Sequence, residues 1–173
     1  MAVQRILSYY DEEDRKILKS KSEPVKLEDI QTEEIQTIIQ DLKDTIVQSP
    51  GTVGLSAVQI GQLKQICVIK YDIYFLTIIN PVVTKTRGEV VYREGCASCP
   101  DTFIQTHRFQ KIWADYYDEH GNLKHADQGG LFSVIMQHEM DHFNGVCLVG
   151  EAALKKLEEE TKEDVENNKD NQN

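Results

Sequence analysis

Gly130-Leu131-Phe132-Ser133-Val134-Ile135-Met136-Gln137-His138-Glu139-Met140-Asp141-His142-Phe143 decides how the rest of the chain is read. Leu131, Val134, Ile135, His138 and His142 recur at spacings of three and four, the period of one helix face. Asn144-Gly145 follows directly and is a helix stop. The predicted helix therefore runs from about Gly130 to Phe143. Within it, His138-Glu139-Met140-Asp141-His142 fits the pattern H-E-x-x-H. Positions i and i+4 share a face, so both imidazoles can reach one metal ion. Glu139 projects from the adjoining edge, where it can take a proton from water without being a ligand. Two histidines and two carboxylates on a largely apolar helix would be costly without a partner. That favours a metal site over a charged surface turn or ordinary core histidines.

A catalytic metal site has three protein ligands and one open position. In zincin proteases the third ligand lies downstream of the pattern. Here the downstream candidates are Glu151, the acidic tail and Cys147, with no further histidine. Upstream lie Cys96 and Cys99 in Glu94-Gly95-Cys96-Ala97-Ser98-Cys99-Pro100. Taken alone, Cys96-Ala97-Ser98-Cys99 is a C-x-x-C, a form used by zinc knuckles and redox pairs. A knuckle wants a second such pair, which is missing, and Pro100-Asp101 points to a turn where a redox pair wants a helix.

Three segments in order give the chain a wider likeness. They are Thr52-Val53-Gly54-Leu55-Ser56-Ala57-Val58-Gln59, Glu94-Gly95-Cys96-Ala97-Ser98, and Gln137-His138-Glu139-Met140-Asp141-His142. Together they resemble the three motifs of peptide deformylase, G-x-G-L-A-A-x-Q, E-G-C-L-S and Q-H-E-x-D-H. Met1 to Val25, Ile79-Asn80-Pro81 and Asp118-Glu119-His120-Gly121 resemble further parts of the family, so the likeness covers roughly residues 1 to 150. It departs at Thr52 and Ser56 in the first motif and at Ala97 in the second. Cys99 stands where a small apolar residue is usual, and Phe103 where some members carry an arginine near the substrate backbone.

The resemblance implies a hydrolase that removes the formyl group from N-formylmethionyl nascent chains and releases formate. It assigns Cys96, His138 and His142 to one divalent metal, Fe(II) in the cell, with Zn, Ni or Co as substitutes. It makes Glu139 the proton carrier and gives the oxyanion to the Gln59 amide and the Ala97 backbone N–H. Val53 and Gly54 would pair with the peptide as an added strand, beside Gly95. Leu131, Val134 and Ile135 would line the methionine pocket. The departures leave two rivals: an altered-specificity or noncatalytic metal-binding relative, and a zincin-like endopeptidase using a downstream ligand.

Composition bounds the reading. A chain of 173 residues with 40% hydrophobic residues suits one domain with a real core. No run approaches the roughly 20 apolar residues of a membrane span. Met1-Ala2-Val3-Gln4-Arg5 leads into Tyr9-Tyr10-Asp11-Glu12 without a signal-peptide core, so free thiols in the cytoplasm are expected for the four cysteines. A net charge of −10 argues against a nucleic-acid surface. Residues 151–173 hold eight acids and four lysines, a net of −4. They read as an acidic helix after a 1–150 catalytic domain, giving way to a disordered tail from Asn167. Transient ribosome association, known in parts of the family, would want basic residues that this end lacks.

The scaffold reads as α+β, with antiparallel or mixed strands around a central metal-binding helix. Thr32 to Gln48 is an amphipathic helix that Thr32 can cap, with Ile35, Ile38, Ile39, Leu42 and Ile46 as its apolar stripe. Strands are expected at Gln65–Lys70, Tyr74–Ile79, Glu89–Arg93, Lys111–Tyr117 and Leu123–Ala126. His107, His120 and His125 read as surface residues.

Overall fold

The computed structural model describes residues 2–170, with side chains as far as Glu160. Four α-helices and five strands follow in the order α1 (Glu12–Leu18), α2 (Glu33–Gln48), β1 (Gly54–Ser56), β2 (Ile66–Tyr71), β3 (Tyr74–Cys96), β4 (Cys99–Tyr117), β5 (Leu123–Gly129), α3 (Gly130–Phe143) and α4 (Leu148–Asp170), with short 3-10 turns at Leu27–Asp29 and Ala57–Ile60. The strands form a single sheet in sequence order, and every neighbouring pair is antiparallel. The mixed alternative is therefore set aside, since the parallel pairing among the described residues is an isolated bridge, Glu23 to Lys64.

Alternation along β2 explains the layering. Ile66 and Val68 face one way and pack with Ile35, Ile38, Ile39, Leu42 and Ile46 of α2. Cys67 and Ile69 face the other way and pack with Met136 and Phe143 of α3. The sheet thus lies between α2 and α3, buried on both faces near β2. Thr32 caps α2 as expected, its side chain accepting from the Ile35 N–H.

Two strand expectations are corrected. Tyr74–Ile79 and Glu89–Arg93 are parts of one 23-residue strand, β3. Its partner β4 spans 19 residues, where the sequence suggested Lys111–Tyr117 alone. Asn80, just past the first of these runs, sits at φ 52 where the pairing shifts between Ile79 and Val82. A bulge absorbs the shift without ending the ladder. The Asn80 side chain holds this bulge to the backbone of Val25, accepting from its N–H at 2.8 Å and donating to its carbonyl at 2.6 Å.

α3 has the predicted bounds. Gly145 follows it at φ +70, where a Cβ would come within 2.2 Å of the Lys19 carbonyl oxygen, so only glycine fits. α4 continues the acidic end as a helix past Asn167 to Asp170; residues 171–173 lie outside the described residues. None of the described helices is long and apolar enough to cross a membrane.

Candidate metal centre and active site

The β3–β4 hairpin closes at Cys96 and Cys99, which are paired across a two-residue turn of Ala97 and Ser98. The C-x-x-C spacing is thus the end of a hairpin, which is why no helix follows it. Cys96 faces α3, where His138 and His142 stand one turn apart. Ligand atoms of Cys96, His138 and His142 all lie within 4.8 Å of one another. Cys96 Sγ is 3.4 Å from His142 Nε2. A tetrahedral ion with bonds of about 2.3 Å to sulfur and 2.0–2.1 Å to nitrogen would set such ligands roughly 3.5 Å apart. The donor set fits an ion on this count.

Protonation fits as well. Burial, reinforced by neighbouring His138, pushes His142 down to about 4, so its ring is neutral near pH 7 as a ligand must be. Its Nδ1 is buried with no hydrogen-bond partner among the described residues. His138 donates from Nδ1 to Glu94 Oε2 at 2.8 Å, which leaves Nε2 free to face an ion.

Glu94 belongs to a buried network that the sequence reading missed. Arg108 donates to both its oxygens, from Nε at 2.6 Å and from Nη2 at 2.9 Å. Arg108 also reaches Asp141 Oδ2 at 2.6 Å, and Thr106 donates a short hydrogen bond to Glu94. Burial alone would raise the Glu94 carboxyl, but hydrogen bonds from Arg108, His138 and Thr106 outweigh it and hold the group at about 2. A signal was available. Glu94 lies two residues before Cys96 on a strand, so both face the same way. Arg108 offered no such cue, because its partner is 14 residues away across a ladder of unknown register.

Glu139 is 3% exposed, and burial pushes its carboxyl up despite the opposing His138 charge and a hydrogen bond from Ser56. The Ser56 hydroxyl lies 2.7 Å from Glu139 Oε2 and donates to it. The serine in place of the family's alanine therefore touches the Glu139 carboxyl itself. Gln59 accepts from the Ser56 N–H through Oε1 at 2.9 Å. This turns its Nε2 toward Ser98 Oγ at 3.2 Å and Cys96 Sγ at 3.6 Å. Gly54 packs against the same carboxyl, and a Cβ there would meet Glu139 Oε1 at 2.4 Å.

A cleft of about 520 Å³ opens over these groups, bounded by Val53 and Gly54, the hairpin end from Tyr92 to Phe103, and Leu131, Val134 and Ile135 of α3. All the residues expected to bind substrate lie on it. The two expected to pair with peptide through the backbone differ, however. The Val53 carbonyl already accepts from the Lys70 N–H at 2.8 Å. By strand alternation the polar groups of Gly54 point to the open edge of β1. Phe103, standing in for the family's arginine, lies against Gly95, where a Cβ would come within 2.8 Å of its ring. The Arg93 guanidinium sits 4.5 Å over that ring, so the cleft keeps a cation in this quarter from the opposite strand. His107, His120 and His125 are exposed, as expected.

The comparisons agree with this geometry. The profile of the family described as Polypeptide deformylase matches residues 3–158. The chain is 34% identical to the peptide deformylase of Helicobacter hepaticus over 158 residues, 84% of this chain and 85% of that one. It is 32% identical to the Wolinella succinogenes enzyme over 157 residues, 84% and 90% of the two chains. Among solved structures, a peptide deformylase from Legionella pneumophila superposes with a TM-score of 0.77 at 28% identity, covering 95% of this chain and 98% of that one. The Thermotoga maritima peptide deformylase gives 0.77 at 27% identity, covering 86% and 97%. The chain therefore belongs to the polypeptide deformylase family, metal-dependent enzymes that remove the formyl group from the N-terminal methionine of nascent chains.

Proposed function

We propose that Cys96, His138 and His142 hold one divalent ion and that Glu139 carries the proton during deformylation. α3 is then the central metal-binding helix of a 1–150 catalytic domain. One observation carries the assignment: three ligand atoms lie within 4.8 Å of one another, and two of their residues, Cys96 and His138, line a cleft together with Glu139. When bound, the ion acts as a Lewis acid and makes water a nucleophile near neutral pH. Glu139 takes the proton from the attacking water, a role suited to a carboxyl that burial has made more basic. It then gives that proton to the departing amine of methionine as formate leaves. Ser56 orients the carboxyl by holding Oε2, leaving Oε1 toward Gly54.

The oxyanion is met by Gln59 and by the backbone N–H of Ala97. The contact of Gln59 Nε2 with Cys96 Sγ is long, 3.6 Å, and readily exchanged for a substrate oxygen. A backbone donor explains why the family's leucine can be alanine without loss of that interaction. Gly54 receives the peptide as a strand added to the β1 edge. Val53 and Gly95 flank it, and Leu131, Val134 and Ile135 line the methionine pocket. The ion is Fe(II) by family resemblance; a Cys-His-His set also accepts Zn, Ni or Co. Four free thiols favour a reducing cytoplasm. Ribosome contact is transient and made through the nascent chain, since the acidic α4 offers little to RNA.

The test is formate release from formyl-Met-Ala-Ser by the metal-loaded protein, with peptide products followed in parallel. Release of formate with an intact peptide is expected. Cleavage of an internal bond would support the endopeptidase reading, which the structure disfavours because Glu151 accepts from Tyr9 Oη at 2.6 Å and pairs with Lys19. Bound metal with no turnover would support the noncatalytic relative.

A further inference from the structure

We propose that Cys96, Cys99 and Cys147 form a second, all-sulfur metal site that takes a soft, thiophilic cation of the Cu(I) class. Their three sulfur atoms lie within 4.8 Å of one another, and all three residues are at least nine-tenths buried. None is in a disulfide. The cluster shares Cys96 with the Cys-His-His group, so the Cys96 sulfur would bridge the two ions, while Cys99 and Cys147 pack among the hairpin end, the N-terminal segment and α4.

Each sulfur is delivered by a different constraint. Cys96 and Cys99 face each other as the last pair of the hairpin, where opposed Cβ atoms lie about 4.5–5.5 Å apart. Cys147 precedes the first residue of α4, and its Sγ accepts from the Gly150 N–H at 3.3 Å. That hydrogen bond holds the sulfur in place at the helix N-terminus, within reach of the other two. Three cysteines filling a core as small apolar residues need neither mutual approach nor a backbone donor aimed at sulfur.

The chemistry of the set selects the ion. For metal–sulfur bonds of about 2.3 Å, a trigonal site puts its sulfurs roughly 4.0 Å apart, inside the 4.8 Å within which these three lie. The group contains no oxygen or nitrogen ligand, so hard cations such as Mg(II), Ca(II) and Mn(II) are excluded by ligand type. Ions that accept imidazole have the neighbouring Cys-His-His group to choose. A soft ion that prefers sulfur has this one.

The experiment uses the full chain with its catalytic metal in place, kept anaerobic and reduced, and presents Cu(I) against a chromogenic Cu(I) chelator. One equivalent of Cu(I) is expected, with a sulfur-only shell by X-ray absorption. Cys147→Ala should weaken uptake by more than the ~10–100-fold that loss of an outer-shell partner costs. Cys67→Ala, which removes a buried thiol outside the cluster, should leave uptake unchanged. Cys147→Ser serves if the alanine variant does not fold. Nitrogen in the copper shell, equal affinity in the Cys147 variants, failure to compete with the chelator, or formation of a Cys99–Cys147 disulfide instead of a complex would each overturn the proposal.

Discussion

α2 and α3 are nearly equal in length, 16 and 14 residues, and cover the two faces of one sheet, yet they bury different things. α2 buries a stripe of four isoleucines and one leucine, which contact other apolar side chains and do no chemistry. α3 buries Met136 and Phe143 against the sheet and Val134 at the cleft, but also Ser133, Glu139 and His142. A hydrocarbon stripe is stable wherever it is dry. A polar stripe must be completed by its surroundings, here Cys96, Glu94, Arg108 and Ser56. On the proposed function, stability and reactivity sit on opposite faces of the sheet, and substitutions should separate them.

The largest effect belongs to the polar face. Cys96→Ser should lose the catalytic metal and with it all turnover, while Cys99→Ser keeps one ion at the Cys-His-His group. Metal per chain, measured after equilibration with one equivalent of Ni(II), decides this; retention by Cys96→Ser with loss by Cys99→Ser would reverse the ligand assignment. On the apolar face, Leu42→Ala should cost about 2–5 kcal/mol of stability, since Leu42 is fully buried in the α2 layer. Denaturant titration measures that cost, and kcat at low temperature should be unchanged. A fall in kcat would mean that the two faces are coupled.

The same contrast explains what was legible in the sequence. α2 was readable to its cap because period and composition point one way, and α3 because its glycine stop and its histidine spacing are local. The long β3–β4 hairpin was not, because its register depends on the bulge at Asn80, which Val25 stabilises from 55 residues away. The candidate ligands and Glu139 could be named from motifs. The Glu94–Arg108–Asp141 network could not, because it is assembled across three elements. Arg93 was passed over for a similar reason, since only the pairing of Gly95 with Phe103 brings its guanidinium to the cleft.

That network predicts an intermediate effect. Glu94→Gln removes the acceptor that orients His138 and should lower metal affinity ~10–100-fold, read by chelator competition. It should also change acid behaviour. The folded-state carboxyl is depressed from 4.5 to about 2, so its stabilisation is full above pH 4.5 and is lost as pH falls from there toward 2. The wild type should therefore lose on the order of 3 kcal/mol across that window. Glu94→Gln should lose less over the same window, and an identical acid profile would remove Glu94 from the account.

The smallest effect lies on the cleft wall. Ala97→Leu restores three carbons beside the substrate, worth roughly 2 kcal/mol at ~0.8 kcal/mol per CH₂, or about thirtyfold in KM. kcat should hold, because the backbone N–H is already present. A large rise in kcat at unchanged KM would show instead that this position governs oxyanion geometry.

The central claim is that Glu139 moves protons and holds no metal, and Glu139→Ala tests it most directly. Metal per chain and formate release from formyl-Met-Ala-Ser should be measured on the same preparation. The account predicts a full complement of metal with turnover reduced by several orders of magnitude, since each of two proton transfers is worth ~10²–10⁴. Formate release near the wild-type rate by the metal-loaded variant would contradict it.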